Sequence, residues 1–176
     1  DGVQRALEFD RIREAVQSFA LTPLGAEALA TLQPQTDLNR VRVALDTTTE
    51  GTRYLDTNAP FALNAPRDLK ATLTLLAVEG QPLEPKQLIG LADYLASVKA
   101  VKKAVEQADS GPYPSLRTIL DDCRSFEPEV AEIHSKLDLN EGVVDNASTE
   151  LKSIRQRLRK QRQQLRKILD SFVRGK

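Results

Sequence analysis

Apolar residues recur along this chain at intervals of three and four, and proline or glycine interrupts each run; a helix can bury that period and a strand cannot. Phe9, Ile12, Val16 and Phe19 predict one stripe of a first helix ending near Leu21. Thr22 followed by Pro23 predicts an N-cap and first helical position, opening a short helix to Leu32 that Pro34 closes. Asp37 caps a third helix with Leu38, Val41, Leu45, Thr48, Thr52 and Leu55 on one face. Its middle, TTTEGT, opposes that reading, because β-branched threonines and Gly51 are poor helix formers, glycine by about 1 kcal/mol relative to alanine. TNAPFALNAP, residues 57–66, has two prolines and no period, and reads as a loop. Leu69, Leu73 and Leu76 mark a helix ended by Gly80. Pro85 opens the cleanest interior helix, with Leu88, Leu91, Leu95, Val98, Val101 and Val105 on one side, and SGPYP at 110–114 stops it. Two shorter helices follow, around Leu116 to Cys123 and Pro128 to Leu137, and Asn140, Glu141 and Gly142 predict a tight turn with a small hairpin. The expected fold class is all-α: a helical bundle with a long projecting C-terminal helix and one small β-hairpin.

The final helix is predicted to start near Ser148, an N-cap with Glu150 in the first turn. Leu151, Leu158, Leu165 and Phe172 recur every seven residues, interleaved with Ile154, Gln161 and Ile168, so a coiled-coil seam runs for about three heptads. About 26 residues at 1.5 Å each make a rod of roughly 39 Å, longer than the bundle requires. The expected division is a core domain over 1–147 and this helix over 148–176. Charge divides at the same place. The chain is neutral in total, yet residues 152–176 hold ten lysines or arginines against the single acid Asp170, a net of +9, and the remainder carries −9.

Candidate chemistry is sparse. A P-loop needs GxxxxGK followed by Ser or Thr, and the one Gly-Lys pair is Gly175-Lys176, so no nucleotide site of that class is expected. His134 is the sole histidine, beside Glu132, and too few ligands accompany it for a metal site. Asp121 with Asp122 and Glu127 with Glu129 read as a solvated acidic face. Cys123, on a stripe with Leu116, Ile119 and Leu120, reads as core; as the only cysteine it forms no internal disulfide, which suits a reducing cytoplasm. No apolar run reaches the ~20 residues of a membrane span, and no secretory signal is visible. Catalytic, metal and cofactor residues are therefore all expected to be absent.

What remains is the basic arm. Arg155, Arg159, Arg162 and Arg166 step by four, three and four and line one stripe beside the seam, with Lys152, Lys160 and Lys167 near it. Such a stripe can follow phosphates, without reading bases, because no aromatic or asparagine stands among these cations. Arg155, Arg159, Lys160, Arg162, Arg166 and Lys167 are the candidate nucleic-acid residues. The alternatives are a solvated coiled-coil surface, or a face that pairs with acids elsewhere in the protein.

Several fragments in order carry a family resemblance. LEFDRI at 7–12, TPLG at 22–25, LQP at 32–34, PRDL at 66–69 and GQPLEPKQL at 80–88 resemble the opening of the MutS-two subfamily of the MutS family. GVVDNAS at 142–148 followed by ELKSIR at 150–155 is similar to its Gly-Val-x-Asp-x-Ala-Ser and Leu-x-x-Ile-Arg signature. The chain departs from the pattern at Ala26, where lysine is usual, and at Gly51, where alanine is typical. The resemblance implies a chain that starts at the helical core or lever domain, with 148–174 as the ascending lever helix leading to a clamp. The absence of methionine, even at position 1, likewise predicts a piece of something longer. It further implies a parent that dimerises through an ABC-type ATPase using ATP and Mg, ends in an Smr endonuclease domain, suppresses recombination on branched DNA and splits collided ribosomes, binding rRNA. The segment itself would be no enzyme and would associate weakly with itself. The competing reading is a free-standing helical adaptor acting through a basic coiled-coil arm.

Overall fold

A computed structural model describes residues 8–108, 113–140 and 142–174. Its helices are α1 (Phe9–Gln17), α2 (Pro23–Ala30), α3 (Leu38–Thr57), α4 (Leu69–Leu76), α5 (Pro85–Glu106), α6 (Pro114–Asp121), α7 (Glu127–Lys136) and α8 (Thr149–Arg174). Strands β1 (Leu137–Asp138) and β2 (Gly142–Val143) pair antiparallel, Leu137 opposite Val143, and a 3-10 turn spans Asp145–Ala147. The all-α class, the long last helix and the small hairpin all follow the sequence reading. Glu141 and most of SGPYP lie outside the described residues.

The caps explain the boundaries. Thr22 Oγ1 accepts from Gly25 N at 3.0 Å, and Asp37 Oδ1 accepts from Asn39 N at 2.8 Å and Arg40 N at 3.0 Å. Gln87 Oε1 reaches back to Glu84 N at 3.0 Å ahead of α5. Gly80 and Gly142 take positive φ, of 79° and 71°, where a side chain would be strained. The threonines of α3 donate back along their own helix, Thr47 to Val43 O, Thr48 to Ala44 O, Thr49 to Leu45 O and Thr52 to Thr48 O, so TTTEGT stays helical.

Helix α5 is the hub, with α4, α6, α7 and the hairpin packed around it. It is therefore buried on more than one stripe: Leu91, Val101 and Val105 of the expected face, and also Ile89 and Ala92. The core joins Tyr54, Val101, Val105 and Tyr113, with Phe61 and Leu63 packed against them. Phe61 stacks on Tyr54 with ring centroids 4.8 Å apart, and Tyr113 meets Tyr54 edge-on at 5.5 Å. Thr57 closes α3, and the rest of the aperiodic segment, 58–66, is a loop as expected, yet it supplies core.

Two expected stripes are corrected. The α3 face through Leu38, Leu45 and Leu55 is exposed, Leu45 at 61%, because Tyr54 on another side faces α5 and α6. Helix α1 ends at Gln17 instead of near Leu21, and its Ile12 and Val16 lie open, as does Phe19 just past its end, at 81%. Helix α1 packs on α2, and none of its residues is buried.

Candidate nucleic-acid interface

The base of α8 is built by the signature segment. Val144 N donates to Lys136 O at 3.0 Å, continuing the hairpin, and Ala147 N to Val144 O at 3.0 Å closes the 3-10 turn. Ser148 Oγ then accepts from Leu151 N at 3.0 Å, the predicted N-cap, and Glu150 stands in the first turn where the helix dipole favours an anion. From there 26 residues run as one helix whose main packing contact is the 3-10 turn.

The turn aims Asp145 at the arm. Its Oδ1 accepts from Arg155 Nη1 at 2.6 Å and its Oδ2 from Arg159 Nη2 at 2.7 Å, so one carboxylate bridges two guanidinium groups ten and fourteen residues away. The Arg155 bond holds the Asp145 carboxyl below its usual range; desolvation opposes this, and Arg159 adds to the lowering. Arg155 and Arg159 thus pair with an acid elsewhere in the protein, one of the three readings open from sequence. Lys160, Arg162, Arg166 and Lys167 are exposed and form no ion pair among the described residues. The six candidates share one helix, split into two that are clasped and four that face solvent. Asp145 was missed as a site residue, and its signal was present: an acid in the motif just ahead of the cationic helix.

The seam beside the stripe is open. Ile154, Leu158, Leu165, Ile168 and Phe172 are exposed, Leu165 at 57% and Phe172 at 74%.

Elsewhere the candidate chemistry does not converge. His134 Nε2 meets Asp93 Oδ1 at 3.1 Å on an exposed surface, and among the described residues no group of three His, Cys, Asp or Glu could hold a metal ion. Cys123, two residues past the end of α6, is half-buried rather than core, because it lines a surface groove. That groove, roughly 730 Å³ along α5 and α7, has Lys99 paired to Glu127 at its rim. The acids Asp121, Asp122, Glu127 and Glu129 are exposed. No helix is long and apolar enough to cross a membrane among the described residues.

No protein-family model matches the chain. Relatives do. A protein of Symbiobacterium thermophilum named Endonuclease MutS2 is 32% identical over 171 residues, covering 97% of this chain and 21% of the relative. Its namesakes in Geobacillus thermodenitrificans and Clostridioides difficile are 28% and 24% identical, covering 97% and 96% of this chain and 22% of each relative. The chain thus spans about a fifth of the length of the curated relatives it matches.

Proposed function

We propose that this chain, which belongs to the MutS2 family, is the core and lever segment of a MutS-type endonuclease and ATPase, residues 1–147 being the core and 148–176 the ascending lever. One observation carries the reading: α8 is a 26-residue rod, rooted at the 3-10 turn, whose outer half presents cations that form no ion pair among the described residues and an open apolar seam. A stiff helix anchored at one end transmits a displacement between distant parts of a larger molecule. In the parent, ATP and Mg would drive the dimeric ATPase, and branched DNA would be engaged through the clamp, with α8 adding backbone contacts. This extends to suppression of recombination and to the splitting of collided ribosomes, in a reducing cytoplasm.

Titration of a labelled four-way junction and a duplex at low ionic strength tests the arm. Weak binding without sequence preference is expected, falling with salt by about 0.9 log units per log unit for each phosphate contacted. Changing Lys160, Arg162, Arg166 and Lys167 together to Gln should abolish it. Absence of binding to the unchanged protein, or binding indifferent to the four changes, reduces α8 to a lever alone. Preference for ribosomal RNA over both DNAs would favour the ribosome as substrate.

The open seam favours a second reading, a helical adaptor whose arm pairs with another helix. A downstream Walker motif in the parent gene supports the first reading, and a stop codon at Lys176 the second.

A further inference from the structure

The clasp on Asp145 divides the arginine stripe, and its geometry has a chemical meaning. Each carboxylate oxygen is taken by a different guanidinium group, at 2.6 and 2.7 Å. Two N–H donors converging on two oxygens of one anion is also how arginines grip a phosphodiester. We propose that Arg155 and Arg159 form a phosphate-binding site on α8 and that Asp145 occupies it as an internal stand-in for phosphate, so that this part of the arm opens to a nucleic-acid backbone only when the aspartate is displaced. This rests on the reading that the outer cations of α8 meet phosphates.

Three observations support it. Asp145 and Arg155 are half-buried and Arg159 is exposed, so the clasp lies within reach of an incoming polyanion. Partly exposed ion pairs are weak, and a backbone already held by Lys160, Arg162, Arg166 and Lys167 presents further phosphates at high local concentration. The carboxylate also sits on the turn that joins the hairpin to α8, and α7 packs on that turn. Displacing it would therefore release the helix from its root at the moment of binding. The same clasp holds α8 in one orientation while no phosphate is present.

The test is a salt series of fluorescence anisotropy with a labelled 20-base-pair duplex of mixed sequence. Asp145→Asn keeps the shape and removes the charge. It should raise affinity about tenfold at fixed salt and steepen the salt slope by up to about 2, one step for each arginine released. Arg155→Gln with Arg159→Gln should change binding less than about twofold in the otherwise unchanged protein, and should cancel the gain in the Asp145→Asn background. Circular dichroism verifies that α8 remains helical. The arginine pair in the unchanged protein gives an answer even where Asp145→Asn loses helix: a loss there equal to that of Arg162→Gln with Arg166→Gln overturns the masking. A missing gain in a helical Asp145→Asn protein, or a gain that survives loss of both arginines, also overturns it. In those cases the basic-arm reading stands if the four outer changes still abolish binding. No binding by any variant at low ionic strength overturns both.

Discussion

At the scale of single residues, Gly51 stands out because nothing in the structure needs it. It lies inside α3, and a Cβ added there would meet no atom within 4 Å. Gly51→Ala should stabilise the fold by about 0.5–1 kcal/mol, through helix propensity and a less flexible unfolded chain, and the urea midpoint should rise. An unchanged or lower midpoint would mean that α3 is not helical at this position. Gly90 is the opposite case: its Cβ would lie 3.2 Å from Pro66 Cγ, so the bare backbone lets the 58–66 loop cross α5 closely. Neither distinction is visible in the letters, since both glycines sit in runs with helical period.

Elements depend on one another through side chains that local rules do not foresee. Helix α6 has eight residues, too few to persist alone, and its own N-cap Tyr113 makes no side-chain cap bond. Glu50 of α3 supplies the cap instead: its carboxylate accepts from Ser115 N and Oγ, both at 2.7 Å, and from Leu116 N at 3.2 Å. Desolvation would raise the Glu50 pKa, but the Ser115 hydroxyl, these two backbone groups and Arg53 together outweigh it and hold it below its ordinary 4.5. A lowered folded pKa means stability that is present above the unfolded value and lost as pH falls through the folded one. Glu50→Gln should therefore cost about 1 kcal/mol near neutral pH, as for loss of a helix cap, and the gap should close as pH falls from neutral to below 4.5. Denaturant melts of both proteins across that range check it, and a gap that widens in acid contradicts the cap.

For the whole molecule, apolar surface lies open on α1, α3 and α8. On α8 this surface repeats along the helix, broken only at Gln161 of the seam, and the heptad period suits a second helix. Self-association through the seam is expected to rise with protein concentration, and also with salt, because screening relieves repulsion between two arms that each carry +9. Leu165→Glu should weaken it several-fold. Sedimentation giving a monomer at every concentration and salt would remove the seam as an interface. The salt trend separates this contact from phosphate binding, which salt weakens.

The sequence by itself determined the helical class, most boundaries, the hairpin turn and the split of charge, because period, caps and prolines act within one or two turns of chain. It also carried the family resemblance, since a motif is read letter by letter. Which face of α3 is buried, that the loop at 58–66 lends Phe61 to the core, and that Asp145 clasps Arg155 and Arg159 were decided by tertiary structure. Those outcomes depend on which surfaces meet, and in a helix as open as α3 more than one face is apolar enough to compete. Tyr54 prevails because two aromatic neighbours close around it, Phe61 from the loop that leaves α3 and Tyr113 from a distant part of the chain.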